Sequence, residues 1–468
     1  MTEAAGAKDG AETWERPPGW TRLEAAALAA IVAIATALRF HDYTAAPKLS
    51  DNQDELGWAW SGLTLITKHV PYSWSYLPSY KGVTNLVANG TTYPIVHPWF
   101  DHPPLFSLVV GGYAWLMGAR ALTDVTPGMI RPVAVVLSTV AITLFYVLGR
   151  RLIGQAPSMI AGFLLATAPV AVLLGREVES EALLTPLLLL AMLLVHQVLA
   201  GDKRRRTVGA LFLVCTAATL TKVPGLAVGV IAATVLLASG RWRPAMLAAA
   251  GGISGLGSYA AYGVLIDWHQ FTLVLHDQEI RRHGVMAAYE FIAAPSGIGH
   301  SIRDGWWVLG WIGIGALVTA RGAPPRRLVA WAAVIFSSAI LVLADEGTIP
   351  RFGWYRIPVY PLVYCGAAYL AWLAFDRLNV GAWLAVLVLG GASATMVALG
   401  GGRTWMPSAL LLVAVLMVAA TPLVLVTGWP RVGWLRPAAR VTVAVVLGLL
   451  MMINVLVSIN LASTYERL

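Results

Sequence analysis

The chain has 468 residues, of which 58% are hydrophobic and only 12% are charged, whereas an average soluble protein carries about 25% charged residues. A water-soluble fold cannot cover that much apolar surface, so we predict an all-α polytopic membrane protein. The net charge of +9 does not indicate a nucleic-acid partner, because the basic residues stand in short loops between apolar runs. Cys215 and Cys365 lie inside apolar runs, so we expect neither a disulfide framework nor a cysteine-based metal site.

A polar segment, residues 1–22, precedes the first apolar run, which extends from Leu23 to Leu38 and ends at Arg39. The small residues at 35–37 would also suit the cleavage site of a signal peptide. We predict an uncleaved span instead, because the polar segment that follows needs an anchor on its N-terminal side. Residues 1–22 then form a cytoplasmic N-terminal segment.

Further apolar runs are long enough, or nearly long enough, to cross a bilayer. They lie near residues 129–149, 155–175, 182–200, 207–221, 223–240, 244–266, 306–320, 328–344, 354–375, 380–400, 408–428 and 441–462. Together with the first run they predict about thirteen transmembrane helices.

The basic loops give the predicted orientation of these spans. Alternate loops share a compartment, and those rich in Arg and Lys, such as Arg150-Arg151 and Arg326-Arg327, all fall on the side of the N-terminus. The positive-inside rule makes that side cytoplasmic in the cell (plasma) membrane, so the C-terminus lies outside. The apolar stretch 103–117 would reverse every later loop if it crossed, so we predict a short interfacial helix there.

The first outer loop, residues 41–128, contains a predicted helix and a predicted hairpin. Residues 54–68 have apolar positions at helical spacing, typical of a helix that lies along the membrane surface. Residues 83–87 and 92–96 flank Asn89-Gly90, a dipeptide that favours a tight hairpin turn.

The strongest candidate for chemistry is the segment Asp51-Asn52-Gln53-Asp54-Glu55, directly after the first span. Neighbouring carboxyl groups raise one another's pKa and can serve as a general base or as metal ligands. Alternatively, Asp51 or Asp54 caps the helix that follows. Charge alone does not decide between these interpretations.

Asp101-His102-Pro103-Pro104 stands just before the predicted interfacial helix. Proline in the first turn is a normal helix start. An Asp and a His beside a helix N-terminus also suit a phosphate or a metal ion. Both interpretations remain open.

Arg131, Arg176 and Lys222 each stand at the outer end of a predicted span. Each one alone could be an anchor that extends to the lipid headgroups. Because all three share a face with the acidic segment, we favour an anion site, with a buried phosphate as the partner of Lys222. The turn at Arg176 is surrounded by Glu177, Glu179 and Glu181.

The loop 267–305 is too long and too polar for a simple connector, and we predict a gate over a substrate that includes Arg281 and Arg282. Its histidines lack the spacing of a zinc site. Further on, Tyr355 and Arg356 precede a segment in which Pro358 and Pro361 kink the outer end of a span.

In their order along the chain, these segments resemble the GT-C superfamily of polyprenol-phosphate-dependent glycosyltransferases, especially bacterial aminoarabinose transferases and protein O-mannosyltransferases. No single segment is specific, but the ordered set is. The matching segments are Asp54-Glu55, Asp101-His102-Pro103-Pro104-Leu105, Arg131 with Gly149-Arg150-Arg151, Arg176 with Glu181-Ala182-Leu183-Leu184, Thr221-Lys222, and residues 355–361.

The resemblance implies a GT-C fold, with residues 23–361 as the catalytic transmembrane module and residues 362–468 as C-terminal transmembrane helices. It implies that Asp54, with Glu55 beside it, corresponds to the catalytic acid of the first outer loop. The residues expected to line the donor and acceptor site are His102, Arg131, Arg176, Glu181, Lys222, Tyr355 and Arg356. The secondary candidates are Asp51, Asp101, Arg281 and Arg282.

The expected reaction follows from the chemistry of a sugar linked through C1 to a lipid phosphate. Cations stabilise the departing phosphate, and a carboxylate such as Asp54 deprotonates the acceptor hydroxyl, so that C1 is inverted. The expected partners are the membrane lipid, a polyprenyl-phosphate sugar donor and a lipid, glycan or protein acceptor, with a monomeric chain and no cofactor. A divalent metal ion at Asp51, Asp54 and Glu55 is the alternative to protein cations.

A transporter or flippase of a charged lipid is the competing interpretation, because Arg176, Glu181 and Lys222 would also suit a substrate path through the membrane. The outer loops are long, whereas the cytoplasmic loops are short. Such asymmetry argues against alternating access and favours an enzyme.

Overall fold

The structure is a computed structural model that describes residues 19–202, 204–279, 291–292, 304–319, 324–343, 353–391, 418 and 420–463. Helices make up most of this part of the chain. In the first half they are α1 (Arg22–Phe40), α2 (Asp54–Lys68), α3 (Pro104–Leu116), α4 (Pro127–Leu152), α5 (Gln155–Thr167), α6 (Pro169–Leu174), α7 (Ser180–Leu199) and α8 (Arg205–Thr221). In the second half they are α9 (Leu226–Ala238), α10 (Trp242–Ile266), α11 (Trp268–Glu279), α12 (Gly305–Thr319), α13 (Pro324–Leu343), α14 (Tyr360–Asp376), α15 (Val380–Ala385) and α16 (Arg436–Ile459).

Among the described residues, six helices are long and apolar enough to cross a bilayer. Shorter apolar helices include α3 and α12. The chain is therefore a helical multi-pass membrane protein, as its composition predicts. The count of thirteen spans stays a prediction, and about half of the predicted run 408–428 lies outside the described residues. The six long helices are α1, α4, α7, α10, Pro325–Val342 within α13, and Arg431–Ile459, which contains α16.

The predicted hairpin is confirmed. Strands β2 (Thr84–Ala88) and β3 (Thr91–Val96) pair antiparallel, with Ala88 opposite Thr91. Asn89 and Gly90 both have positive φ, as a two-residue hairpin turn requires. Strand β1 (Ser73–Trp74) adds to the other edge of β3, and its two residues are too few to show an alternating sequence pattern.

Helix α2 has the predicted bounds, but it is buried on more than one face. Every residue from Glu55 to Thr64 is buried, because α2 packs closely against α3. A Cβ atom on Gly62 would lie 1.7 Å from the carbonyl oxygen of Ser107, so only glycine allows this approach. The expectation of a single apolar face is therefore wrong, whereas the position of α2 along the membrane surface stays a prediction.

The predicted span 155–175 is broken into α5 and α6 at Pro169. Proline lacks an N–H and disfavours helical geometry in the residue before it, and Ala168 is accordingly extended. Arg39 bonds carbonyl oxygens that the break leaves free, donating from Nη1 to Ala166 (3.0 Å) and from Nη2 to Leu165 (2.9 Å). Arg39 thus ties the end of α1 to the end of α5, a role that its place in the sequence did not indicate.

Arg150 is a second charge whose surroundings differ from the expected solvated loop. Its guanidinium is buried and forms an ion pair with Glu24 of α1. The hydroxyl of Tyr146 donates to the same carboxylate (2.7 Å). The contact joins α1 to the end of α4, on the side that we expect to face the cytoplasm.

The expected topology leads to a labelling result. We expect a cysteine at Val87, which is 67% exposed on β2, to react with a membrane-impermeant thiol reagent in intact cells. A cysteine at Arg204, on the predicted cytoplasmic side, should react only after the membrane is permeabilised. The native Cys215 and Cys365 are buried and give little background. Labelling of position 204 in intact cells would contradict the orientation.

Candidate functional site

A cavity of about 250 Å³ lies where the N-terminal end of α2 meets β1 and the segment after it, the segment before α3, the end of α11 and the turn Gly353–Arg356. The cavity brings four of the predicted residues together, which are Asp54, Asp101, His102 and Tyr355. Its other polar lining includes Gln278. Its aromatic lining includes Trp58, Trp74, Tyr76, Trp99 and Trp354.

Asp54 is the first residue of α2, and Gln53 occupies the N-cap position. The capping interpretation of Asp54 is therefore wrong. A carboxylate in the first turn of a helix is stabilised by the positive end of the helix dipole. Asp54 lies in the cavity wall and close enough to Glu179 to raise the pKa of that residue. It is thus the carboxylate of the acidic segment that a substrate can reach.

Asp101 holds the cavity wall together. Its Oδ2 accepts a hydrogen bond from Ser75 Oγ (2.8 Å), and its Oδ1 accepts one from the Tyr80 hydroxyl (2.7 Å). Gln278 of α11 donates to its carbonyl oxygen (3.3 Å). Burial and the Asp101 charge raise the pKa of Tyr80, so the hydroxyl remains a donor. Both carboxylate oxygens are engaged, and Asp101 is therefore better suited to positioning than to proton transfer.

His102 stacks on the indole of Trp58, with ring centroids 4.7 Å apart and an angle of 19° between the planes. It stands just before α3, whose first residue is Pro104, so the helix-start interpretation of this segment is also confirmed. The Trp58 indole N–H donates to Glu179 Oε2 (3.1 Å). The His102 ring therefore rests on a buried aromatic platform in the cavity wall.

Glu55 and Arg131 form a fully buried ion pair behind the cavity wall. Both side chains are 0% exposed, and Arg131 Nη2 lies 2.9 Å from Glu55 Oε2. Glu55 also accepts from the Val178 N–H (3.1 Å), and Arg131 donates to the carbonyl oxygen of Tyr43 (2.7 Å). The pair joins α2, α4 and the corner before α7. The predicted catalytic role of Glu55 and phosphate role of Arg131 remain predictions, and the observed geometry is that of a structural joint.

Arg176 is also fully buried. It donates from Nη2 to the carbonyl oxygen of Leu38 (2.7 Å) and from Nη1 to that of Ala46 (3.2 Å). Leu38 is in the last turn of α1, where carbonyl groups lack helical partners. Arg176 thus ties the corner 175–179 to the end of α1.

Lys222, at the C-cap of α8, forms a buried ion pair with Glu181 at the start of α7. Lys222 Nζ lies 2.6 Å from Glu181 Oε1 and 4.4 Å from the centroid of the Tyr355 ring. The partner of Lys222 in the structure is thus a carboxylate of the chain itself, and the expected phosphate partner stays a prediction. Because Tyr355 lines the cavity, Lys222 is the predicted cation that lies next to it.

The remaining candidates lie in different surroundings. Arg356 is buried, with its guanidinium 5.6 Å from the Phe291 ring centroid. Asp51 lies in a short 3-10 turn and accepts from Ser50 Oγ (3.4 Å) at an exposed position. A metal ion held by Asp51, Asp54 and Glu55 together would require Glu55 to leave Arg131. Arg281 and Arg282 lie outside the described residues.

Two buried acids, Glu177 and Glu179, belong to the site although we did not predict them as site residues. Asn52 Nδ2 donates to Glu177 Oε2 (3.3 Å). Within the described part of the chain, the Oε1 atoms of both acids are buried without a hydrogen-bond partner. Burial and neighbouring carboxylates raise the pKa of both groups well above its ordinary value. Three glutamates within five residues beside Arg176 were the available sequence signal.

The raised pKa of Glu177 leads to a prediction about stability and pH. A raised folded-state pKa gives stability that is complete below the unfolded-state pKa, about 4.3, and is lost as the pH rises through the folded-state value. Each unit of elevation corresponds to about 1.4 kcal/mol. We therefore expect the melting temperature of the wild type to fall more steeply between pH 5 and pH 8 than that of Glu177→Gln. Equal slopes in thermal unfolding would show that Glu177 is ionised in the folded protein at both pH values.

The comparisons with known proteins agree with this architecture. Residues 101–257 match the family model described as dolichyl-phosphate-mannose-protein mannosyltransferase. The crystal structure of ArnT from Cupriavidus metallidurans bound to undecaprenyl phosphate has a TM-score of 0.54 and 16% identity, covering 93% of this chain and 77% of that chain. Archaeal oligosaccharyltransferase AglB from Archaeoglobus fulgidus, in complex with an inhibitory peptide and a dolichol-phosphate, has a TM-score of 0.51 and 12% identity, covering 94% and 56%.

No curated protein matches the sequence. The two solved proteins and the matched family all belong to the GT-C superfamily of membrane glycosyltransferases. The chain has the GT-C fold, and the resemblance that its ordered segments indicate is confirmed.

Proposed function

We propose that the protein is a glycosyltransferase that moves a sugar from a polyprenyl-phosphate-linked donor to a lipid, glycan or protein acceptor at the outer face of the cell membrane. The fold supports this class of enzyme. The matched family is named for dolichyl-phosphate-mannose, one solved neighbour binds undecaprenyl phosphate and another binds a dolichol-phosphate. A phosphorylated polyprenol is common to all three.

The observation that carries the proposal is the composition of the cavity around Asp54. Flat rings such as Trp74, Tyr76 and Trp354 offer apolar faces against which the C–H faces of a sugar pack. Asp54 and Gln278 offer polar atoms for hydroxyl groups. Apolar walls with a few polar groups are typical of a site for a small organic substrate.

The proposed reaction is a single displacement at C1 of the sugar. Asp54 accepts the proton of the acceptor hydroxyl while the acceptor oxygen forms a bond to C1. The bond between C1 and the phosphate oxygen breaks, its electron pair leaves with the lipid phosphate, and the configuration at C1 is inverted. From the acidic segment, this step requires only one carboxylate at the cavity wall.

The departing phosphate needs positive charge close to the reacting carbon. Lys222 meets this need best, because it lies against Tyr355 of the cavity wall. The ion pair with Glu181 holds Lys222 in place before the substrate arrives. A phosphate that enters beside Tyr355 then shares Lys222 with Glu181. Arg131 and Arg176 are tied to the chain itself and support the site from behind.

We propose the division of the chain into a catalytic module and C-terminal helices that the resemblance implies. Residues 23–361 contain every described residue that lines the cavity and form the catalytic module, and residues 362–468 add transmembrane helices. The N-terminus is cytoplasmic, and the cavity and the C-terminus are extracytoplasmic.

The test is transfer of radiolabelled sugar from polyprenyl phosphate by the purified protein, with the donor chosen after mass spectrometry of copurifying lipid. Cleavage of the C1–phosphate bond that depends on an acceptor is the expected result. Movement of labelled lipid across a proteoliposome membrane, without cleavage, would overturn the proposal in favour of a flippase.

Lys222→Met should weaken donor binding and slow turnover together, because the phosphate carries more charge in the transition state than in the bound donor. Loss of one such electrostatic contact costs about 10²–10³ in rate. The double variant Lys222→Met/Glu181→Gln removes the charge left behind, so it should recover stability without recovering activity.

We expect activity to survive chelation of divalent ions, since protein cations stabilise the leaving group. A reaction that stops with chelator, recovers with manganese or magnesium, and runs normally in Lys222→Met would show that the acidic segment holds a metal ion instead.

A further inference from the structure

We propose that Glu179 is a positioning residue that orients the indole of Trp58 and, through it, the ring of His102 in the cavity wall. The kinetic consequences rest on the proposed function. The orientation itself does not, and it can be measured without any turnover.

The first step is the hydrogen bond between the two side chains. Trp58 is 2% exposed and Glu179 is 1% exposed, and the indole N–H donates to Glu179 Oε2 at 3.1 Å. A buried indole N–H without an acceptor is costly. Glu179 supplies this acceptor from the corner before α7, far from α2 along the chain.

The second step is the packing of the indole. The rings of Trp99 and Phe106 meet Trp58 edge-to-face, at 5.7 Å and 5.3 Å between centroids. The rings restrict where the indole plane lies, but an indole turned over within the same space would place its N–H on the other side. The bond to Glu179 favours one of these orientations.

The third step is the stack with His102. The imidazole lies 4.7 Å from Trp58 and nearly parallel to it, and it also meets Trp99 edge-to-face at 5.7 Å. The orientation of the indole plane therefore decides the surface on which the His102 ring stacks. A turned indole would shift the surface on which His102 rests. The His102 ring, which we propose as a hydrogen-bond donor to the substrate phosphate, would move with it.

The chemistry of Glu179 allows a matched substitution. Burial and the neighbouring carboxylates Asp54 and Glu181 raise its pKa well above the ordinary value. A neutral carboxyl group accepts the indole hydrogen bond through its carbonyl oxygen, and glutamine offers an equivalent oxygen. Leucine has a similar shape and offers none.

The orientation of Trp58 is tested by NMR of the indole N–H groups in protein labelled with 15N-tryptophan. The chain has 19 tryptophans, so the Trp58 signal must first be assigned. The Trp58 signal is identified as the one absent from Trp58→Phe. We expect it to move upfield in Glu179→Leu and to stay near its wild-type position in Glu179→Gln. Glu177→Leu is the matched control, since Glu177 is equally buried but the Trp58 N–H donates to Glu179 instead, and it should leave the signal in place. An unmoved signal in Glu179→Leu overturns the proposal.

The effect on catalysis is tested by a double-mutant cycle. Glu179→Leu should raise the donor KM about three- to tenfold, the value of one hydrogen bond, with a much smaller change in kcat, and Glu179→Gln should restore the wild-type KM. Trp58→Phe, which keeps an aromatic ring but removes the N–H and the smaller ring of the indole, should raise KM at least as much. Combining it with Glu179→Leu should add nothing further.

Additive effects of the two substitutions on KM would overturn the proposal. A Glu179→Gln variant as impaired as Glu179→Leu would also overturn it, because Glu179 would then act by its charge. If the leucine variant does not fold, a Trp58→Phe variant with wild-type donor KM is enough to overturn it. If the wild type transfers no sugar, the proposed function fails, whereas the resonance of Trp58 still decides the role of Glu179.

Discussion

Asp54→Asn should reduce sugar transfer by about two orders of magnitude or more, the usual contribution of a general base, while donor binding changes little. Asparagine keeps the size of the side chain and removes its basicity and its charge. Asp54 lies in the wall of the cavity, at the start of α2. The change therefore removes the proton acceptor without altering the surface that a donor meets. Steady-state kinetics and a separate equilibrium binding measurement with the donor distinguish the two effects.

Asp51→Asn is the matched control for this experiment. Asp51 belongs to the same acidic segment, but it is part of the 3-10 turn Leu49–Asp51 and accepts a hydrogen bond at an exposed position. Its substitution should have a small effect on turnover. If both variants show the same small loss, Asp54 is not the base, and the proton of the acceptor must go elsewhere.

Arg131→Met should lower the free energy of unfolding by about 3–5 kcal/mol, the usual cost of removing one partner of a buried ion pair. Glu55 would remain fully buried without a counter-charge. Burial already raises the pKa of Glu55 above its ordinary value although Arg131 is present. Denaturant unfolding in detergent, or thermal unfolding where denaturation is reversible, measures the loss.

Two further variants distinguish the stability lost with the ion pair from the stability lost through any substitution of an arginine. Arg131→Met combined with Glu55→Gln should recover part of the stability, because the buried charge is gone. Arg204→Met is the surface control, since Arg204 is 69% exposed and lies 3.9 Å from Asp202, and pairs of this kind contribute about 0–1 kcal/mol. If Arg131→Met costs no more than Arg204→Met, the buried pair does not hold α2 to α4.

These two experiments divide the acidic segment by role, although Asp54 and Glu55 are adjacent. Consecutive residues of a helix point in directions about 100° apart. Asp54 consequently reaches the cavity, whereas Glu55 points behind its wall to Arg131. The pair of acids that the sequence presents as one site is therefore split between substrate and scaffold.

The local features of the chain were predictable from sequence because their causes are local. Apolar composition determined the helical membrane class. Proline at 104 and the acidic start at 54 marked the beginnings of α3 and α2, and Asn89-Gly90 marked the hairpin turn. Helical spacing and turn residues act over a few positions, so no knowledge of distant segments was needed.

The partners of the buried charges were decided only by the tertiary structure. The sequence indicated that Arg131, Arg176 and Lys222 share one face, but not that Glu55 would meet Arg131 across 76 positions or that Glu181 would meet Lys222 across 41. A charge withdrawn from water pairs with whichever acceptor the packing brings within about 3 Å. Glu179 shows this most clearly, because its contact with Trp58 across 121 positions exists only once the corner before α7 lies against α2.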